Sequence, residues 1–192
     1  MSDQMVRGYW LTSGVKFLRT RHTPEANERL LGSLSKGLRS QLADIQPVQW
    51  YSRAHHVDMM NAIVSAHRDE SSAFESLLGY GQLVATDVAN GHLRGLVQIL
   101  TPRLLAKKLP QMWENDHQAD GKLDSDIAQI DDGRLSLRLA ALHGYQHVGV
   151  VALGWVKGLL VALGQREVTV KQAGWSLGQT APSELTCEVR WS

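Results

Sequence analysis

The sequence predicts an α+β domain in which an antiparallel sheet, built from hairpins, packs against a helical layer that includes one long buried helix. Three observations predict it. The stretch from Tyr145 to Leu163 is apolar nearly all round and studded with glycines, so as a helix it must be buried. Two segments alternate: Leu135, Leu137, Leu139 and Ala141 oppose Arg134, Ser136 and Arg138, and Leu185, Cys187, Val189 and Trp191 oppose polar neighbours. That period suits strands with one covered face. Before residue 121 the apolar spacing is mostly three and four, which supplies helices to cover that face.

Taken in order, Gly8 to Arg19 mixes Tyr9, Trp10, Val15, Phe17 and Leu18 with polar residues and a central Gly14, and is expected to form two short strands or one bent strand. Arg19, Arg21 and His22 then read as a solvated strand end. Thr23-Pro24-Glu25 is a helix start, with a capping hydroxyl and proline in the first turn. Leu30, Leu31, Leu34, Leu38 and Leu42 continue at helical spacing, as two helices broken near Gly37. Trp50-Tyr-Ser is extended, with Ser52 placed to cap a helix over 53–67 that carries Val57, Met60, Ile63 and Val64. Asp69 restarts a helix, in which Gly79-Tyr-Gly81 reads as a kink or break. His92 to Leu100 is a short helix, and Thr101-Pro102 caps another that Pro110 kinks or interrupts. Asp131-Asp-Gly133 marks a hairpin between Leu123–Ile130 and Leu135–Ala141. After the buried helix, Glu167–Lys171 and Leu185–Trp191 are amphipathic strands.

The totals favour one domain over 1–192, long enough to bury a full core. Twenty Lys and Arg stand against nineteen Asp and Glu with no dense basic block, which argues against nucleic-acid binding. A single cysteine, Cys187, permits no intrachain disulfide and no thiolate zinc site. The N-terminus lacks the pattern of a secretion signal, and Val148–Leu163 is short for a bilayer and interrupted by Lys157. The expectation is a cytoplasmic protein without stable membrane insertion.

The order of these elements, carried by Val15-Lys-Phe-Leu-Arg19, Gln49-Trp-Tyr-Ser52, Gly154-Trp-Val-Lys-Gly-Leu-Leu-Val-Ala-Leu-Gly164 and Cys187-Glu-Val-Arg-Trp191, resembles the superfamily of haem–nitric-oxide-binding, four-vinyl-reductase and Bet3-type trafficking domains. Within it the chain resembles a myxobacterial paralogous family of similar length with no assigned function. The resemblance implies small-molecule sensing or protein scaffolding rather than catalysis. Haem-binding relatives carry a Tyr-x-Ser-x-Arg clamp for the propionates. The nearest string here is Arg134-Leu-Ser-Leu-Arg138, with arginine where tyrosine belongs and on a predicted strand, so haem is not carried over and no cofactor is expected.

Candidate chemistry is sparse. His143 and His147 are four residues apart and suit a ligand-facing pair, but no third ligand follows at fixed spacing, so no metal site is expected. His55-His56-x-Asp58 reads as structural, because adjacent helical residues point about 100° apart. Cys187, facing inward on its strand, reads as a small buried hydrophobe. Of six tryptophans, Trp50, Trp113 and Trp155 lie in or beside helices, where aromatic walls suit an apolar pocket or a plain core. Gly154-x-x-x-Gly158 gives the long helix a bare stripe for close approach, a cavity wall or a dimer contact. No nucleophile elbow, phosphate loop or dinucleotide fingerprint is present. The expected function is therefore non-enzymatic: a sensory or regulatory domain binding a small apolar ligand through Trp50, Trp113, His143, His147 and Trp155. The alternative is a scaffold or adaptor acting through a protein interface, including a homodimer, and haem-based gas sensing ranks below both.

Overall fold

In the computed structural model, which describes residues 4–91, 94–97, 99–118, 121–141, 147–172 and 184–192, a short strand β1 (Met5–Arg7) runs directly into helix α1 (Gly8–Arg21). The strands expected over 8–19 are thus a helix. Tyr9, Trp10, Val15, Phe17 and Leu18 are buried along it, and tertiary burial overrides the β-prone composition. Arg19 and Arg21 sit in its last turn, where cations favour the helix dipole, and not at a strand end.

Thr23 caps α2 (Pro24–Ser33) by accepting from the Ala26 N–H at 3.3 Å. The break to α3 (Lys36–Gln41) falls at Leu34 and Ser35, with Ser35 as the new cap, so Gly37 lies inside α3 and not at the junction. After β2 (Trp50–Ser52), Ser52 caps α4 (Arg53–Ser65), and Asp69 caps α5 (Glu70–Asn90) through the Ser72 N–H at 2.8 Å. Helix α5 is unbroken at Gly79-Tyr-Gly81. Gly81 is required by packing: a Cβ there would stand 2.0 Å from the Val151 carbonyl oxygen of the neighbouring helix.

The short α6 (Arg94–Val97) precedes α7 (Pro102–Asp116), capped by Thr101. Helix α7 continues through Pro110 without interruption. Proline has no N–H to give the carbonyl four residues back, and that carbonyl, Ala106, instead accepts from Ser125 Oγ at 2.7 Å. Ser125→Ala is expected to orphan it at a cost of about 1–2 kcal/mol, read as a lower urea midpoint at unchanged m-value. An unchanged midpoint would mean that water serves the carbonyl equally well.

Strands β1, β2 and β3 (His117–Gln118) form a three-stranded antiparallel sheet in the order β2-β1-β3, of which only the extended Trp50-Tyr-Ser of β2 was expected from sequence. The second sheet contains β4 (Lys122–Asp126), β5 (Arg134–Ala140), β6 (Thr169–Gln172) and β7 (Glu184–Arg190) in the order β4-β5-β7-β6, with every pair antiparallel. Its β4–β5 connection is longer than expected: β4 ends at Asp126, and a 3-10 turn over Ile130–Asp132 leads to Gly133 in the left-handed region at φ 67°. Leu123, Leu135, Leu137, Leu139, Leu185, Cys187 and Val189 form the buried face, against which α7 and the long helix α8 (Val148–Ala162) pack. Burial pushes the Cys187 thiol up to about 12, so it is a core residue and not a reactive one. As expected, α8 is buried along most of its length, and its most extensive partner is α5. Among the described residues, no helix is long and apolar enough to cross a membrane.

Candidate functional site

Five elements converge on one buried cluster of rings, with a sixth, β3, completing it. Trp10 comes from the first turns of α1, His56 from the first turn of α4, Tyr80 from the middle of α5, and Trp155 from α8. Trp113 lies in the last turn of α7, and His117 follows it on β3, where pairing of His117 with Val6 brings its ring beside Trp10. All six residues are at most 2% exposed.

Trp10 is the hub. Its ring centroid lies 4.9 Å from His117, 5.3 Å from His56 and 6.0 Å from Trp155, all in tilted arrangements. Trp113 stacks on His117 at 3.8 Å and 15°, and His56 meets Tyr80 edge-on at 5.8 Å. The Tyr80 hydroxyl donates to the Trp10 carbonyl at 2.6 Å, tying α5 to α1 beneath the cluster. The tilted and edge-on contacts around Trp10 and His56 are ones that aromatic quadrupoles favour, whereas Trp113 and His117 lie nearly face to face.

Electrostatically the cluster is kept neutral. Burial drives the His56 pKa down to about 3. It also holds His117 well below the usual imidazole value, helped by neighbouring His56 and only partly opposed by a hydrogen bond to the Trp113 backbone. At the rim, burial pushes Asp116 up to about 7 against the hydrogen bond from Tyr9 and the nearby Arg7 guanidinium, both of which lower it. The indole N–H groups of Trp10 and Trp155 are buried without a hydrogen-bond partner. The Tyr9 side chain lies against the Trp10 indole. Rings, imidazoles held neutral by burial and two buried donors give the cluster a chemistry suited to an uncharged, mostly apolar molecule. Among the described residues no group of three His, Cys, Asp or Glu stands at metal-binding geometry.

Of the residues singled out from sequence, Trp113 and Trp155 lie in this cluster. Trp50 lies apart on β2, half-buried beneath the Arg7 guanidinium at 3.9 Å, whose nitrogens donate to the Val48 and Asn115 carbonyls. His147 occupies the N-cap position of α8, where burial lowers its pKa to about 4. His143 lies outside the described residues. Trp10, His117 and Asp116 were missed by sequence reasoning, and His56 was taken as structural. The available signal was Trp10, one of two adjacent large aromatics, Tyr9 and Trp10, followed by Leu11 in an apolar-rich segment.

The Arg134-Leu-Ser-Leu-Arg138 string lies on β5 with its three polar residues on the face opposite buried Leu135 and Leu137. Arg138 makes a bidentate pair with Glu184 at 2.6 and 2.8 Å, and Arg134 meets Gln129 at 3.1 Å and Glu188 at 3.5 Å. Directed away from the core and already paired, it does not supply a propionate clamp.

Neither a family model nor a curated protein sequence matches the chain. Solved structures do. An H-NOX protein from S. oneidensis in the Fe(II)NO ligation state superposes with a TM-score of 0.68 at 10% identity, covering 97% of this chain and 99% of that one. The unliganded Fe(II) H-NOX protein from K. algicida gives 0.66 at 10% identity over 97% and 96%. A point mutant of the T. tengcongensis H-NOX gives 0.61 at 12% over 97% of both chains. The chain therefore has the H-NOX fold over nearly its whole length, at identities that carry the architecture alone.

Proposed function

We infer that the chain is a non-enzymatic sensory or regulatory domain that holds a small, largely apolar ligand among Trp10, His56, Trp113, His117 and Trp155. The observation that carries this reading is the pair of buried indole donors, Trp10 Nε1 and Trp155 Nε1, without acceptors in the middle of an aromatic cluster. Each orphaned buried donor costs about 1–3 kcal/mol, and native proteins keep few of them without a reason. A compact apolar molecule bearing acceptor atoms would suit both the rings and the donors. The H-NOX fold is compatible with a ligand-holding domain, since a structurally similar protein is known in an Fe(II)NO ligation state. Native mass spectrometry, compared with the denatured mass, is expected to reveal an added small organic molecule that Trp155→Phe diminishes. Equal native and denatured masses, with unmoved tryptophan Nε1 resonances on incubation with small apolar acceptors, would overturn the reading.

Haem-based gas sensing is the second reading, favoured by the same H-NOX likeness. The residues tested above do not fit it, because the clamp-like string is turned outward and paired. Haem added to the protein and removed by desalting should leave no Soret band. A stoichiometric band would replace the apolar-ligand reading with this one.

A further inference from the structure

We propose that His22 and His67 form a binding site for a divalent transition-metal ion of the zinc and copper class, a site independent of the aromatic cluster. His22 is the C-cap of α1, and His67 follows the C-cap of α4, so two helix C-termini bring their imidazoles together against the middle of α5. The ring centroids are 6.3 Å apart with the planes at 51°. Both Nε2 atoms are shielded from solvent, and neither has a hydrogen-bond partner. Two neighbouring imidazoles whose Nε2 atoms are left in this way make an arrangement that a shared cation would resolve.

The surroundings fit a cation in three respects. Helix C-termini carry partial negative charge, and two of them end here. The rings border a groove of about 380 Å³ whose α5 wall presents Glu75, Ser76, Gly79 and Gln82, so oxygen donors stand beside the nitrogens. Gly79 keeps that wall low, leaving only the Phe17 ring against it. A metal bound at about 2.0–2.1 Å by two ring nitrogens holds their centroids roughly 5–6 Å apart, so a small closing of the pair completes the bite. Arg21 on the groove wall and Arg29 near His22 oppose a cation, whereas Glu75 and Asp69, the latter near His67, favour one.

Among the described residues no third His, Cys, Asp or Glu already stands at ligand distance. Water, or Glu75 on the wall of the same groove, is left to complete the two imidazoles. Imidazole donors select copper, nickel and zinc over the oxygen-seeking magnesium and calcium. No sequence spacing predicted this pair, because His22 and His67 end different helices.

The test uses the full chain, stripped of metal and titrated with zinc chloride against a colorimetric chelator. One ion per chain is expected, with affinity reduced about tenfold or more in both His22→Ala and His67→Ala, and unchanged in His55→Gln. Calcium chloride is expected not to compete. Electron paramagnetic resonance of the unmutated protein with one equivalent of copper(II) sulfate is expected to show coupling to two imidazole nitrogens, and it decides the matter should either variant fail to fold. No saturable zinc binding up to about 0.1 mM, affinity retained in both alanine variants, or a copper signal without two nitrogens would each overturn the proposal.

Discussion

Lowering the pH from 7 to 5 is expected to destabilise the protein by on the order of 3 kcal/mol, well before its paired carboxylates titrate. The cause is the neutral imidazole cluster. His56, held near 3, His117, held well below its usual value, and His147, held near 4, are all depressed chiefly by burial. In the unfolded chain each takes up a proton below about 6.5. Between that value and the folded pKa, the unfolded state binds more protons, so stability is complete above 6.5 and declines as the pH falls. Asp116 has the opposite sign: its folded pKa, raised to about 7, means that the folded state is the one holding the proton between roughly 4 and 7. His56, His117 and His147 against Asp116 leave a net slope near 2.7 kcal/mol per pH unit at its steepest, about 1.4 for each proton. His22, also lowered by burial and by His67 and Arg29, adds to the destabilising side. Glu25, Asp69, Glu184 and Glu188, with lowered pKa values, enter only below this window. Thermal unfolding followed by circular dichroism should show a fall of about 6–12 °C in Tm over the two units. His56→Leu should flatten the dependence by one proton. A Tm unchanged between pH 7 and 5 would mean that the imidazoles charge inside the folded protein.

How far the sequence foretold this molecule depends on which forces leave a local trace. The buried α8 and the alternating β5 and β7 were legible, because an all-round apolar helix and a one-faced strand each impose a periodicity that only one burial geometry satisfies. Helix α1 was not. Tyr9, Trp10, Thr12, Val15 and Phe17 favour strands on propensity, and only their joint burial against α4 and α5 makes the segment helical. The glycines of α5 misled for a related reason. Gly81 weakens a helix locally, but the helix it admits lies 70 residues further along the chain, at Val151. The candidate site divides in the same way. Trp113 and Trp155 were visible as large aromatics, one on an amphipathic helix and one on an apolar helix. Trp10 and His56 meet through the packing of α1 on α4, and His117 joins them because the two-residue strand β3 pairs with β1, a contact with no sequence signature of its own.

Gly154→Ala is expected to destabilise the protein by about 3 kcal/mol or more, a large share of the roughly 5–15 kcal/mol that holds a typical domain together. A Cβ at Gly154 would stand 2.0 Å from the Leu78 carbonyl oxygen, and one at Gly81 would stand 2.0 Å from the Val151 carbonyl oxygen. Each of the two helices thus presents a bare glycine to the other's backbone. No side chain is available to rotate away, so α5 and α8 must separate. Gly14 is milder, since its added Cβ would meet the Met59 side chain, with Cγ at 2.5 Å and Sδ at 2.9 Å, and a thioether can re-route. Gly32, inside α2 with nothing within 4 Å of an added Cβ, supplies the control: alanine there should stabilise by about 0.5–1 kcal/mol through helix propensity. Urea unfolding of the three variants should therefore rank Gly32→Ala above wild type, Gly14→Ala below it and Gly154→Ala far below. A Gly154→Ala midpoint equal to that of Gly14→Ala would show that the two helices do not meet backbone to backbone. The site shares in the outcome, because Trp155 follows Gly154 directly and Tyr80 precedes Gly81. Forcing the helices apart pulls both rings away from Trp10, so weaker ligand retention should accompany the lost stability, whereas Gly32→Ala should leave retention intact.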